Sequence, residues 1–414
     1  TGATFKFGIH HQGWRADGGS YYGPIDDPNA LVPHPDGLPA NWLHQARVAG
    51  GKPLADAHLF TALMRGRKAP YARKNGRLIA LSQYHYAYHF DQARLGRFLA
   101  TKASGIAHIR AEVAQTKRNS ASGDITDLVM TDGTAVAVDL VLDCTGFRRA
   151  IIGKMDAGWT SYGTFLPLNK AGWMWGIPVR DRMGCGYVFS DAHTTPDAAQ
   201  AEIEAALGQP IDPRGVLSID PGRLGRAWVN NCIAIGLAQS FLEPLEATSI
   251  HGSLVQALML TQISLDTVLG GAPDRARSEY NAATARQVDD FAQFINLHYT
   301  GGRSDTPFWR DMAASGISQQ SRDRLAQWQS HPLTRADFAP FPGNLPHVEE
   351  QLFAPVLDGL GHLPKAPAKQ LFANPPQHRA AARKTLDRLS REFRGAANMA
   401  LGQRAYLEQL RATH

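Results

Sequence analysis

Two tryptophans, Trp173 and Trp175, stand two residues apart in the run Gly172–Pro178, which reads GWMWGIP. In a β-strand, residues i and i+2 point to the same face, so these indoles would form one broad aromatic wall. Such a wall suits packing on a flat aromatic partner or closing a pocket. An ordinary aromatic core uses the same pattern, so the spacing alone leaves both interpretations open.

A helix N-terminus is a second candidate site. Residues from Ile250 to Val268 have the apolar spacing of a helix, and Thr248 and Ser249 before it are good N-cap types. The first backbone N–H groups of a helix lack partners inside it and readily bind anions. The sequence therefore predicts an anion site beside Thr248 and Ser249.

The surrounding elements are predicted from hydrophobic patterns. A β-branched run over 135–143 ends in Cys144-Thr145-Gly146, which is typical of a buried parallel strand next to a nucleotide. A strand over 106–113, a hairpin over 171–190 and a helix over 274–299 are also predicted. The C-terminal third has helical periodicity with proline-rich breaks.

Composition excludes several classes of protein. The chain has 414 residues, 43% hydrophobic and 19% charged, which excludes a disordered chain or a coiled coil. The formal net charge is +6, but the basic residues are scattered, which argues against nucleic-acid binding. The three cysteines have no CxxC spacing, so we predict neither a zinc ribbon nor a disulfide framework. We name no metal-binding residues from the sequence. Reduced thiols and the lack of an apolar run long enough to cross a bilayer predict a cytoplasmic protein without a membrane segment.

Four segments, taken in order, carry a family resemblance. They are Val141–Arg148, with the pattern D-C-[ST]-G-F/M-R; Trp173–Pro178, with W-x-W-x-I-P; Gly236–Thr248, close to G-L-x-x-x-F-L-E-P-L-E-S-T; and Leu297–Trp309, close to H-Y-x-x-T-x-R-x-D-T-P-F-W. Together they resemble the flavin-dependent halogenases, the tryptophan halogenase family. The resemblance implies an enzyme that uses FADH₂, O₂ and chloride or bromide to form hypohalous acid and halogenate an electron-rich aromatic. It also implies a separate flavin reductase that supplies FADH₂. A homodimer is a further expectation that rests on the family alone.

The resemblance also assigns roles to residues. Gly2–Ile9 is similar to the family segment that holds the catalytic lysine, which makes Lys6 the candidate catalytic residue. Glu246 would face Lys6 across the substrate pocket, although a glutamate before a helix is also favoured by the helix dipole alone. The resemblance further implies halide binding by Thr248 and Ser249, flavin contacts by Val113, Leu237 and Ile250, and a gatekeeping role at the flavin face for Trp173 and Trp175.

The implied fold is α/β, with a Rossmann-type, FAD-dependent monooxygenase-like flavin-binding module containing mixed sheets. Residues 1–270 would form the flavin-binding and halogenase core, and 271–414 a mainly helical substrate-side region. The family's Gly-rich G-x-G-x-x-G turn occurs nowhere in this chain. The segment between the D-C-[ST]-G motif and Gly172 is also short, since Phe165–Lys170 runs almost directly into it. Either the sequence is a true fragment, or these flavin-binding parts belong to a longer protein; we expect the second.

The substrate is expected to be indole or another electron-rich aromatic in preference to free tryptophan. Tryptophan-specific members hold the indole between aromatic side chains, whereas the corresponding stretch His347–Phe353 contains no tryptophan. Tyr21 and Tyr22 could supply a wall of the pocket. Two alternative functions stay open: a flavin-dependent monooxygenase or hydroxylase on the same fold, and a non-catalytic, truncated paralogue.

Overall fold

A computed structural model describes residues 2–83, 85–161, 172–191, 193–373 and 376–412 of the chain. The strands are β1 (Thr4–Lys6), β2 (Gly8–His11), β3 (Tyr21–Pro24), β4 (Lys68–Lys74), β5 (Arg77–Ala80), β6 (Ala87–His89), β7 (Val113–Arg118), β8 (Ile125–Met130), β9 (Ala135–Ala137), β10 (Val141–Asp143), β11 (Trp159–Ser161), β12 (Gly172–Pro178), β13 (Met183–Phe189), β14 (Gly222–Leu224), β15 (Trp228–Val229), β16 (Cys232–Ala234), β17 (Ser240–Phe241) and β18 (Ala400–Gly402). The α-helices are α1 (Trp42–Ala49), α2 (Leu59–Gly66), α3 (Gln92–Ala100), α4 (Pro196–Leu207), α5 (Thr248–Met259), α6 (Leu265–Leu269), α7 (Pro273–His298), α8 (Pro307–Asp311), α9 (Gln319–Ser330), α10 (Glu350–Leu360), α11 (Lys365–Leu371), α12 (Pro376–Met399) and α13 (Gln403–Ala412).

The strands form small sheets of two or three members. β10 and β16 pair in parallel, with Val141 opposite Cys232 and Asp143 opposite Ala234, and β15 adds an antiparallel edge. The predicted parallel strand is therefore confirmed for Val141–Asp143 only, because Ala135–Ala137 forms a separate strand, β9, that pairs antiparallel with β8. Ligands of α/β proteins bind beyond the carboxyl ends of such strands, which here lead into Gly146 and Gly236.

The buried side chains fall into clusters that join distant parts of the sequence. One cluster surrounds α7 and α10 and contains Trp14, Trp173 and Phe353. Another packs Phe5 of β1, and Phe7 between β1 and β2, against helices that include α12. Contacts thus cross the expected boundary between 270 and 271, and the division into two regions stays a prediction.

One long helix carries the candidate anion site at its start. It runs from Thr248 to Leu269 as α5, a π-helical turn at Leu260–Ser264, and α6. By length and composition it could cross a membrane, which corrects the expectation that no apolar run is long enough. Core helices pass the same test, and Val255 and Met259 are buried in a cluster that includes Tyr280 of α7. The length and composition of this helix are therefore only weak evidence for a membrane-spanning segment.

Two other predictions have clear outcomes. The hairpin is confirmed over the described residues, since β12 pairs with β13 from Gly172–Phe189 to Pro178–Met183. The strand over 106–113 is wrong, because the ladder begins only at Val113 and Ile106 is 72% exposed. Residues 106–112 have the apolar spacing of a strand, but none of the described strands pairs with them. The short connection at Phe165–Lys170 lies outside the described residues.

Candidate active site

Lys6 lies at the end of β1, where it pairs with Ala87 of β6. Burial lowers the pKa of its amine, and the negative charge of Glu246 partly opposes that shift. Burial and the charge of Lys6 also lower the pKa of His89 to about 4, and they act in the same direction on His251. The Lys6 amine therefore lies in a desolvated region within electrostatic reach of Glu246.

Glu246 is held between two histidines from distant elements. Its Oε1 lies 3.0 Å from His298 Nε2 at the end of α7, and 3.4 Å from His11 Nε2 in β2. Burial would raise the carboxyl pKa, but the two imidazoles outweigh it and keep that pKa well below its usual range. Burial also lowers the pKa of His11 to about 4. Glu246 is therefore an ionised carboxylate beside a neutral His11.

Tyr21 contacts both of these histidines. Its hydroxyl lies 2.7 Å from His298 Nδ1, and its ring stacks on His11 at 4.6 Å between centroids. Tyr21 is 5% exposed, and Tyr22 stacks on His10 at 4.1 Å. The Tyr21 ring is therefore packed inside the protein, and its role as a wall of the substrate pocket stays a prediction.

A second buried carboxylate, Glu243, stands three residues before Glu246. It accepts hydrogen bonds from the Tyr299 hydroxyl at 2.7 and 2.8 Å and from Trp173 Nε1 at 3.2 Å. Burial outweighs these bonds and raises its pKa to about 7. Trp173 is thereby fixed in the core, while Trp175 is half-buried against the same cluster. The aromatic-core interpretation of the paired tryptophans is therefore correct for Trp173; a flavin-facing role stays a prediction.

We expect Glu243→Gln to change the pH dependence of stability. A carboxyl whose pKa rises from 4.5 to about 7 on folding contributes its full stabilisation below about pH 4.5 and loses it as the pH rises through 7. The unfolding free energy of the wild type minus that of Glu243→Gln should therefore fall by up to about 3 kcal/mol between about pH 5 and pH 8. Urea unfolding at both pH values measures this difference. An equal difference at both would contradict the shifted pKa, and the exposed Glu112→Gln is the control that should show none.

The N-terminus of α5 opens beside these groups. The helix begins at Thr248, and its N-cap is Ala247 in the left-handed region at φ 54°, without a side-chain cap. Thr248 and Ser249 are therefore the first two helical residues, which corrects their placement as N-caps. Because Ala247 offers no oxygen, the first-turn N–H groups are left without a capping side chain.

A small cleft lies at this helix start. Its lining residues are Gly236, Ser240, Phe241, Leu242, Thr248, Ser249, Gly252, Gln256, Gln287, Val288 and Phe291. Gln256 Nε2 donates to the side-chain oxygens of Gln239 and Gln287, while the Nε2 atoms of Gln239 and Gln287 have no partner among the described residues. Buried amide donors without acceptors favour a ligand that brings acceptor atoms or negative charge.

The predicted flavin contacts lie in two places. Leu237 is half-buried in the loop after β16, and Ile250 is 40% exposed in the first turn of α5, so both border the helix start. Val113 begins β7 and packs on a separate core cluster beneath β10 and β16. Leu237 and Ile250 are thus brought beside the anion site, whereas the contacts of Val113 are with this core.

Sequence reasoning missed His11, His298 and Glu243, and it named Tyr21 only as a wall of the substrate pocket. His298 and Glu243 were inside matched motifs, so their residue types were visible without their partners. His11 and Tyr21 lie on the paired strands β2 and β3, directly opposite each other. An alternating pattern in this region would have suggested the hairpin, but no local signal connects it to residues almost 300 positions later.

Comparison with known proteins identifies similar sequences over most of the chain. The family model described as tryptophan halogenase matches residues 1–171 and 169–375. Tryptophan 6-halogenase SttH from Streptomyces toxytricini is 26% identical, over 92% of this chain and 80% of that protein. The uncharacterized protein y4xG from Sinorhizobium fredii is 30% identical, over 83% of this chain and 72% of that protein.

Solved structures resemble the whole described fold. BrvH, a flavin-dependent halogenase from Brevundimonas sp. BAL3, has a TM-score of 0.81 and 28% identity, over 99% of this chain and 86% of that one. Xcc4156, a flavin-dependent halogenase from Xanthomonas campestris, has a TM-score of 0.81 and 26% identity, over 99% and 84%. These neighbours confirm the predicted α/β fold with a Rossmann-type flavin-binding module.

Proposed function

Because this chain belongs to the tryptophan halogenase family, we propose that it uses FADH₂, O₂ and chloride or bromide to halogenate an electron-rich aromatic ring. The observation that carries the proposal is that Lys6 and Glu246 are both desolvated and that the charge of Glu246 acts on the Lys6 amine. Lys6 is the candidate for directing the oxidised halogen, and Glu246 for receiving the proton that the ring loses.

The chemistry of the pair follows from their protonation states. An ammonium at Lys6 can donate a hydrogen bond to hypohalous acid and polarise it, whereas the neutral amine can form a haloamine. Burial favours the neutral form, and the charge of Glu246 favours the ammonium. An ionised Glu246 can stabilise the cationic ring and then accept its proton.

The residues at the start of α5 would hold a halide and border the flavin ring. The first-turn N–H groups at Thr248 and Ser249 suit an anion. The buried Gln239 and Gln287 amides lack acceptors, and Gly236 has no room for a Cβ, which would lie 2.7 Å from Ser253 Oγ. Leu237 and Ile250 would contact the ring system, and bound reduced FAD would supply the electrons with which O₂ converts halide into hypohalous acid, the other oxygen atom leaving as water. A Gly-rich turn for the pyrophosphate is absent from this sequence, so these residues account only for the ring end of FAD.

Halide binding through backbone groups predicts tolerance of side-chain changes. We expect Thr248→Ala and Ser249→Ala to keep the apparent bromide affinity within about threefold of the wild type, because the N–H donors remain. The bromide dependence of product formation measures this, with Thr261→Ala, farther along the same long helix, as the control. A loss of tenfold or more in either variant alone would instead make that hydroxyl a ligand.

A flavin-dependent hydroxylase is the first alternative. Trp173 and Trp175 argue against it, since a wall of two indoles at the flavin face would keep the organic substrate away from the oxidised cofactor and let only the small oxidant pass. Trp173 is held by its bond to Glu243, and Trp175 packs so closely over Gly186 that a Cβ there would lie 2.4 Å from the indole. Rigid side chains of this kind suit a barrier.

The substrate proposed is indole or another electron-rich aromatic in preference to free tryptophan. The stretch His347–Phe353 supplies no open aromatic wall, because His347 stacks on Phe341 at 4.4 Å and Phe353 is 1% exposed. His347 Nε2 also lies 2.8 Å from Asp290 Oδ2. Competition between indole and tryptophan in one reaction tests this preference, and faster conversion of tryptophan would contradict it.

Partners follow from the same proposal. A separate flavin reductase would supply FADH₂, by diffusion or transient contact, and the aromatic substrate would be a small molecule. A homodimer and a cytoplasmic location stay predictions.

The test of the function is product formation in the complete system. Purified protein is supplied with a flavin reductase, NADH, FAD, O₂, indole and either chloride or bromide, and products are analysed by mass spectrometry. A halogen isotope pattern that depends on the halide added is the expected result. A mass gain of oxygen alone would favour the hydroxylase, and failure of the full-length gene product to bind FAD would favour the non-catalytic paralogue.

A further inference from the structure

Three donor atoms meet inside the candidate active site. His11 Nε2, His298 Nε2 and one carboxylate oxygen of Glu246 all lie within 4.8 Å of one another. The distances from Glu246 Oε1 are 3.4 Å to His11 Nε2 and 3.0 Å to His298 Nε2. Ligands at about 2.0–2.1 Å from a tetrahedral Zn²⁺ are about 3.3–3.4 Å apart, so the two spacings between the carboxylate and the imidazoles are close to those of a metal centre.

These three atoms also lack hydrogen bonds. His11 and His298 are 2% and 0% exposed, and their Nε2 atoms, together with Glu246 Oε1, have no hydrogen-bond partner among the described residues. Buried polar atoms without partners cost free energy, which a cation between them would recover.

Tyr21 contacts the rings of both histidines. A His298 tautomer with its proton on Nδ1 donates to the Tyr21 hydroxyl at 2.7 Å, which leaves the Nε2 lone pair facing Glu246. The Tyr21 ring stacks on His11 and fixes its orientation. This support of a ligand ring by a second hydrogen-bonding group is typical of protein metal sites.

We propose that His11, His298 and Glu246 form a three-ligand site for a transition-metal cation of the Zn²⁺ class. Two imidazoles and one carboxylate, without thiolates or a ring of oxygens, select borderline cations such as Zn²⁺ or Co²⁺ over Mg²⁺ and Ca²⁺. Three protein ligands leave a fourth position for water.

Metal binding would compete with halogenation. This expectation rests on the proposed function of Glu246. A cation bound to Glu246 occupies the carboxylate oxygen, which then cannot receive the ring proton. We therefore expect Zn²⁺ to inhibit product formation and a chelator to restore it.

Direct metal titration of the chelator-treated protein tests the site. We expect one Zn²⁺ per chain by calorimetry, and a tetrahedral visible spectrum with Co²⁺ that Zn²⁺ abolishes. His11→Asn and Glu246→Gln should each weaken Zn²⁺ binding by at least about 100-fold, since losing a ligand costs more than losing its outer support. His10→Asn, on the same strand with its ring against Tyr22, is the matched control and should bind as the wild type does.

The outcomes separate this site from the proposed function. Absence of stoichiometric Zn²⁺ binding by the wild type, or unchanged affinity in both His11→Asn and Glu246→Gln, overturns the metal site and means that the three groups form only an electrostatic cluster. Thermal unfolding of each variant shows whether it folds. If His11→Asn does not fold, the Zn²⁺ affinity of Glu246→Gln, whose side chain keeps its size, tests the metal site alone. Zn²⁺ binding can be measured whether or not the protein halogenates any substrate.

Discussion

Lys6→Met should lower the rate of halogenation by at least about a thousandfold while the protein still folds and binds FAD. Methionine keeps much of the length and packing of the lysine stem but has no amine to bind or carry the oxidised halogen. The loss should appear in kcat, because the amine acts on the reacting atoms and not on substrate affinity. Steady-state product formation, with FADH₂ supplied in excess, measures it.

The control for this variant is Lys117→Met on β7, an exposed lysine, which should react as the wild type does. Consumption of reduced flavin and O₂ should continue in Lys6→Met, so that hypohalous acid escapes into solution. A trap for free hypohalous acid would detect this escape. Product formation by a folded Lys6→Met protein at the wild-type rate would remove Lys6 from the mechanism.

Glu246→Gln has the second largest expected effect, a loss of about 10²–10⁴-fold in kcat. The amide keeps the size of the side chain but can neither accept the ring proton nor offset a cationic intermediate. Its neutral charge also removes the interaction that raises the pKa of Lys6, so the pKa of the amine should fall further. We therefore expect any pH dependence of kcat that reports Lys6 to move to lower pH.

The control variant is Glu112→Gln, whose carboxylate lies on the surface 2.8 Å from Arg148. Its kinetics should match those of the wild type. A Glu246→Gln enzyme with an unchanged kcat would mean that the proton leaves by another route, and His298, within contact distance of the same carboxylate, would be the next group to test.

Several parts of the fold could be predicted because their signals are local. The parallel strand Val141–Asp143 and the hairpin Gly172–Phe189 follow from β-branched runs and alternation within a few residues. The long helix after Glu246 follows from apolar spacing in the same way. Its start was displaced by two residues, because Ala247 adopts a left-handed conformation that its residue type disfavours.

The failures arise where distant contacts decide the outcome. Residues 106–112 have strand-like spacing, yet a strand needs a neighbour, and none of the described strands provides one. The pairing of Glu246 with His11 and His298 joins three elements that sequence patterns treat separately. The resemblance named Lys6 and Glu246, but it could not show that two histidines and Tyr21 surround the carboxylate. The catalytic roles of Lys6 and Glu246 stay predictions.

The central claim is that Lys6 and Glu246 act as one unit on the same reaction. The most direct test is the rate of the double variant Lys6→Met, Glu246→Gln, compared with both single variants by long incubation and mass spectrometry. When two residues serve the same step, the losses of rate caused by their substitutions are strongly non-additive. The double variant should therefore form product about as slowly as the slower single variant. If the two losses instead multiply, the residues act independently, and the proposed shared active site is contradicted.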